Sequence, residues 1–142
     1  MKPISSVLKK RQGQLWQVSP TDSVYHALEI LAQHEVGALL VMSGHQLVGI
    51  VSERDYTRKI ALQGKNSKDE TVASIMTRDV VTVSPQTHTR ACMAMMRERK
   101  IRHLPVVDGA QVLGMVSIRD LMDDILEEDE QTIRQLEDYI KS

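Results

Sequence analysis

The stretch GIVSERD at residues 49–55 returns as GMVSIRD at residues 114–120, 65 positions further on. Laid on itself at that displacement, the chain matches without a gap from Val18–Thr57 against Val83–Met122. Identities fall at Ser19/Ser84, Pro20/Pro85, Gly44/Gly109, Gly49/Gly114, Ser52/Ser117, Arg54/Arg119 and Asp55/Asp120. A repeat this long, present twice, is unlike the shorter and more numerous units of an open solenoid. It predicts two pseudo-symmetric units that pack as a pair.

Each copy reads as strand, helix, strand, strand, helix, an α/β (α+β) pattern. In the first, SPTD offers Ser19 as N-cap, Pro20 at the first helical position and Asp22 at the third, which predicts a helix start. Val24, Ala27, Leu28 and Leu31 follow at helical spacing, and Cys92, Met93 and Met96 keep the stripe in the second copy. Cys92 therefore reads as a small buried hydrophobe and not as a reactive thiol. ALLVM and LVGIV are joined by SGHQ, LPVV and VLGMV by DGAQ. A glycine-bearing turn between two β-rich runs is a hairpin signal. ERDYTRKIAL and IRDLMDDIL close the copies with helices.

The expected organisation is a first unit over residues 1–62, a polar linker over 63–71 (QGKNSKDET) and a second unit over 72–128. A short C-terminal helix over 129–142 follows, with Ile133, Leu136 and Ile140 on one side. That side suits packing on its own domain or a dimer contact. The acidic run EEDE, residues 127–130, reads as the solvated start of this helix.

Composition removes several classes of function. The chain has 142 residues, and its 18 Lys and Arg nearly balance 19 Asp and Glu, so no long-range field draws nucleic acid or an anionic membrane. With one Trp, three Tyr and no Phe, stacking platforms for single-stranded nucleic acid are lacking. One cysteine excludes an intramolecular disulfide framework, and no apolar run of about 20 residues appears. A soluble, cytoplasmic protein is expected. The five histidines show no metal-ligand spacing, GHQLVG is not a dinucleotide fingerprint, and there is no P-loop. No catalytic or metal-binding constellation is predicted.

The doubled segment carries more chemistry than a cap requires. Ser52 with Asp55, and Ser117 with Asp120, have the spacing of a capping box. Arg54 and Arg119 fall in the same first turn, where a cation faces the positive end of the helix dipole at a cost of up to about 1 kcal/mol. Free amides there favour an anion, and a guanidinium can hold phosphate oxygens in a bidentate fork. A carboxylate beside them can accept from both hydroxyls of a ribose.

The segment IMTRDVVTVSP leading the second copy, the RHLPVVDG strand, the two G-x-V-S-x-R-D segments and RKIALQGKNSK together resemble a tandem pair of cystathionine-β-synthase-type (CBS) domains, a Bateman module. The resemblance covers residues 7–128 or so, and RKIALQGKNSK with the short C-terminal helix also resembles small stand-alone bacterial members. It implies two units packed sheet to sheet about a pseudo-twofold axis, two clefts related by that axis, and association into a disc-like homodimer. Such pairs bind AMP, ADP, ATP, NAD or S-adenosylmethionine and act as sensory modules without catalysis of their own.

Carried over residue by residue, the resemblance implies that Asp55 and Asp120 bind ribose hydroxyls. Ser52 and Ser117 lie near phosphate, Arg54 and Arg119 neutralise it, and Ile50 and Met115 pack on ribose or base. The first cleft is expected to join Ile50, Ser52, Arg54 and Asp55 to Arg102, His103 and Pro105; the second joins Met115, Ser117, Arg119 and Asp120 to Val36, Gly37 and Ala38. IRHLP is charged where VGALL is not, so the first cleft is expected to favour phosphates. Lys9 and Lys10 are the residues expected to compensate the second. His103 fits either a strand histidine satisfied by backbone or a ligand contact. The expected function is an adenine-nucleotide sensor that signals energy or cofactor state, with AMP or another adenine nucleotide favoured and NAD close behind. S-adenosylmethionine ranks lower because the arginines would face its sulfonium. The alternative is a ligand-independent dimeric scaffold whose doubled segments are only caps. A regulated partner protein is expected in either case.

Overall fold

A computed structural model describes residues 2–10 and 15–141. In chain order its elements are α1 (Ile4–Lys10), β1 (Gln17–Val18), α2 (Val24–His34), β2 (Ala38–Ser43), β3 (Gln46–Ser52), α3 (Glu53–Tyr56), α4 (Val72–Ile75), α5 (Thr89–Arg99), β4 (His103–Asp108), β5 (Gln111–Ser117) and α6 (Ile118–Lys141). A π-helical turn, Thr57–Ala61, extends α3.

Both expected hairpins form. Gly44 and Gly109 turn them with φ of +62° and +60°, a left-handed conformation that glycine adopts without steric cost. Each hairpin carries a register shift at the same place, Val41/Met42 and Val106/Val107. β1 adds to the first hairpin in parallel with β2. Its counterpart in the second copy shrinks to a bridge, in which Val83 N–H donates to Pro105 O (3.0 Å) and Val107 N–H donates to Val83 O (2.8 Å). The second sheet is therefore two-stranded.

The helix starts differ from the SPTD expectation. Asp22 closes a separate turn by accepting from Ser19 N–H (2.8 Å), and its own carbonyl accepts from Val72 N–H (2.8 Å). That carbonyl is committed to α4, so α2 starts later, capped by Ser23 Oγ on His26 N–H (3.0 Å). The terminal helix also differs. It is no separate element, because α6 runs unbroken from Ile118 to Lys141, and EEDE lies inside it. Nothing between residues 126 and 133 breaks a helix; there is no Gly or Pro, and Glu127, Glu128 and Glu130 are good helix formers.

The core divides into two clusters that do not follow the sequence borders. Val24, Leu39, Val41, Val51 and Ile60 of the first copy are joined by Val72, Ile75 and Met76. Cys92, Met96, Leu104, Val106, Val116 and Leu121 of the second are joined by Ile4 and Val7. Each copy thus receives the short helix that precedes the other one in sequence. Ile4, Val7 and Leu8 match Val72, Ile75 and Met76 at a spacing of 68 and not 65, so the exchange is itself pseudo-symmetric. Lys10 fastens α1 to α6 through Asp124 (3.5 Å) and Glu127. Lys59 fastens the first copy's closing helix to α4 by donating to Ile75 O (2.7 Å). Cys92 is fully buried, and burial raises its thiol pKa, as expected of a packing residue.

Candidate functional site

The C-terminal ends of β3 and β5 lead straight into α3 and α6, so each doubled segment becomes a strand end, a cap and a first helical turn. Both capping boxes form. Asp55 N–H donates to Ser52 Oγ (3.2 Å) while Ser52 N–H donates to Asp55 Oδ2 (2.9 Å). In the second copy the matching distances are 3.2 Å and 2.8 Å. Asp55 Oδ1 also meets Lys59 at 3.3 Å. The boxes fix both carboxylates half-buried at the mouths of clefts, while Arg54 and Arg119 stand exposed beside them. Neither arginine has an ion pair among the described residues.

The two sheets face each other where β2 and β4 begin: a Cβ added to Gly37 would lie 3.7 Å from the His103 ring. Two clefts open on either side of this approach. The first, of about 310 Å³, brings together Ile50, Ser52, Arg54, Asp55, Arg102 and His103. The second, of about 570 Å³, brings together Met115, Ser117, Arg119, Asp120, Val36, Gly37 and Ala38.

Three expectations need correction. Pro105 lines neither cleft; it is buried two residues further along β4, where the Val83 segment covers it. Arg102 and His103 line both clefts and not the first alone. Each wall carries three carboxylates, Glu53, Asp55 and Asp79 in the first and Glu35, Glu53 and Asp120 in the second; what sets the first apart is Lys100 beside Arg54 and Arg102, where the second has Arg102 and Arg119. Lys9 and Lys10 line neither cleft; Lys10 is held instead by Asp124 and Glu127 on α6.

Several lining residues lie outside the doubled segments. Thr77 pairs with β3, its carbonyl accepting from Ile50 N–H (3.0 Å) and its N–H donating to Ile50 O (2.8 Å). This carries Asp79, Val80 and Val81 along the first cleft. Trp16 occupies the equivalent place in the second, 65 positions before Val81, and stacks on His34 with centroids 5.3 Å apart. Ile50, Val81 and Ile101 in one cleft, and Met115, Trp16 and Val36 in the other, form matched apolar walls. Each site thus offers an apolar slot, a fixed carboxylate and an unpaired arginine. That combination suits a flat ring, a diol and an anion. The repeat itself hides the wall residues, since Trp16 and Val81 are not identical; their equal offset from the doubled segments is the signal that finds them.

Among the described residues no group of His, Cys, Asp and Glu could hold a metal ion. No helix there is long and apolar enough to cross a membrane.

Comparison with known proteins agrees with this geometry. The family model for the CBS domain matches twice, over residues 13–62 and 72–127. The chain is 39% identical over 147 residues to the mitochondrial CBS domain-containing protein CBSX3 of Arabidopsis thaliana, covering 97% of this chain and 71% of the relative. A solved structure of a protein with CBS domains from Burkholderia ambifaria superposes with a TM-score of 0.85 at 40% identity, covering 89% of this chain and 95% of that one. The CBS domain pair of MJ0100, solved in complex with 5′-methylthioadenosine and S-adenosyl-L-methionine, superposes with a TM-score of 0.80 at 26% identity, covering 90% and 98%.

Proposed function

The chain belongs to the CBS-domain family, and from that footing we propose that it is a regulatory module which binds adenine nucleotides and passes their level to a partner protein. The observation that supports this reading is the pairing of a fixed carboxylate with an uncompensated arginine beside an apolar slot, twice over. Asp55 and Asp120 read the ribose diol. Arg54 and Arg119 meet the first phosphate, and the adenine lies against Ile50, Val81 and Ile101 or against Met115, Trp16 and Val36. The two adenosine compounds bound to the CBS domain pair of MJ0100 support an adenosine ligand for this chain. The arginines favour AMP, ADP, ATP or NAD over a sulfonium compound. The module works as a homodimer without catalysis of its own.

One observation favours the rival reading of a ligand-independent scaffold: the capping boxes already employ Ser52, Asp55, Ser117 and Asp120. A thermal-shift panel of AMP, ADP, ATP, NAD and S-adenosylmethionine separates the two. A sensor gains about 2.7 kcal/mol at a ligand concentration of about 100 times Kd, whereas a scaffold gains nothing.

A further inference from the structure

Next to the first cleft, and sharing Arg54, Lys100 and Arg102 with it, runs a groove of about 870 Å³ between α3 and α5. Its cations are Arg54, Arg58, Arg90, Arg97, Lys100 and Arg102. No carboxylate among the described residues lines it. None of the six has an ion pair among the described residues. Arg54 and Arg58 are four apart on one wall; Arg90 and Arg97 are seven apart on the other, so each pair shares a helix face. Like charges four apart destabilise a helix by a few tenths of a kcal/mol, and six crowded cations repel one another unless an anion lies among them.

The duplication shows that this charge is not an accident of ancestry. The positions 65 residues away from Arg58, Arg90, Arg97, Lys100 and Arg102 are Asp123, Tyr25, Ala32, Glu35 and Gly37. Only Arg54 has a cationic counterpart, Arg119. In a chain whose net charge is −1, five cations have been gathered on one side of a pseudo-symmetric molecule while two of the matching positions are acidic.

We propose that this groove is a subsite for a chain of linked phosphates, so that the ligand filling cleft and groove together is a nucleoside with three or more phosphates. This rests on the adenosine reading of the cleft for the nucleoside, and on the groove alone for the phosphates. Arg54 and Arg102, common to both spaces, take the phosphate nearest the ribose. Arg58, Arg90, Arg97 and Lys100 take those beyond it. The second cleft, which shares only Arg102 of the groove's six cations, accepts short or uncharged adenosine ligands.

The test is titration calorimetry on the full chain with AMP, ATP and inorganic tripolyphosphate, at low and high salt. ATP is expected to bind at least about tenfold tighter than AMP, with an advantage that shrinks as salt rises. Tripolyphosphate is expected to bind and to displace ATP. The variant Arg58→Gln/Arg90→Gln/Arg97→Gln keeps these exposed surface positions helix-compatible. It is expected to bring ATP down to the affinity of AMP, leave AMP unchanged and abolish tripolyphosphate binding. Equal affinities for AMP and ATP in the wild type, or an ATP preference that survives the triple variant, would overturn the subsite. Asp55→Asn distinguishes this from failure of the adenosine reading, since it is expected to weaken AMP and ATP alike and spare tripolyphosphate. If tripolyphosphate binds and no adenosine compound does, the nucleoside falls and the groove stands. If AMP binds and neither added phosphates nor tripolyphosphate matter, the groove falls and the cleft stands.

Discussion

Met76 lies hard against Gly49: its Sδ is 2.8 Å from the point a Cβ on that glycine would take, and Thr77 O is equally near. The pseudo-symmetric contact is Leu8 against Gly114, with Cδ2 at 3.0 Å. The glycine of each doubled segment is thus the seat of the other copy's leading helix. Gly49→Ala is expected to destabilise by about 1–3 kcal/mol, because a backbone carbonyl cannot swing aside. Gly114→Ala is expected to cost less, since Leu8 can change rotamer. Urea unfolding of the two variants gives the order.

The caps predict a separable pair of effects. Ser52→Ala and Ser117→Ala each remove one cap acceptor and are expected to cost about 0.5–2 kcal/mol, measured by urea unfolding. Asp55→Asn and Asp120→Asn keep an amide oxygen for the cap amide but lose the charge. Each is expected to halve the stoichiometry of adenine-nucleotide binding in calorimetry. Full stoichiometry in both would mean that the carboxylates do nothing beyond capping.

Trp16 is the single tryptophan, and it lines only the second cleft. Its emission is expected to change when adenosine fills that cleft and to stay constant when only the first is occupied. A fluorescence titration of Asp120→Asn is therefore expected to be silent while calorimetry still records one site. Asp55→Asn is expected to keep the full optical signal.

The hold of α1 on α6 depends on pH. Glu127 is lowered below its ordinary 4.5, chiefly by the hydrogen bond from Lys10 and then by that ammonium's charge. Lys10 is raised above its ordinary 10.5, chiefly by the same bond. A lowered carboxyl stabilises above its ordinary value and loses that contribution as pH falls through the folded one; a raised ammonium stabilises below its ordinary value and loses it as pH rises through the folded one. Docking is firmest between these limits and loosens at either end. Both side chains are 50% exposed, so water screens the pair and the effect is modest. Amide exchange at Val7 and Leu8 across the acid limb is the measurement, and Lys10→Met is expected to flatten it.

Residues 129–141 of α6 are exposed throughout, yet Leu126, Ile133 and Ile140 fall seven apart, with Met122 and Leu136 flanking them. Such a seam suits association between helices. Truncation after Glu128 is expected to leave the urea midpoint unchanged at protein concentrations low enough for monomer, because the last fully buried apolar residue of the helix is Leu121, and to weaken the proposed homodimer in sedimentation equilibrium. A dimer that survives truncation intact would show that its contact lies elsewhere.

Strong local signals made much of this legible. The hairpins announced themselves through Gly44 and Gly109, the caps through Ser-x-x-Asp spacing, and the cleft residues through the duplication. The exchange of leading helices left little trace. α1 and α4 are four to seven residues long, too short for a periodic stripe, and their equivalence runs at 68 while everything else runs at 65. SPTD misled because a serine and an aspartate three apart can close a turn as well as start a helix. The groove was invisible because its six cations come from α3, its π-helical extension, α5 and the residues just beyond α5. Arg54 and Arg102 were the exceptions, flagged by the doubled segment and by IRHLP, but as parts of the cleft.

The exchange of leading helices also fixes what half of this molecule would be. A chain ending before residue 72 would bury Val24, Val41 and Val51 incompletely and would carry in α1 a helix whose apolar side fits only the other repeat. Two such halves would have to find each other, and their folding would depend on concentration. The ten residues from 62 to 71 make that encounter internal, with an effective concentration set by a tether and not by the solution. The duplicated protein is therefore a two-body association that dilution cannot undo.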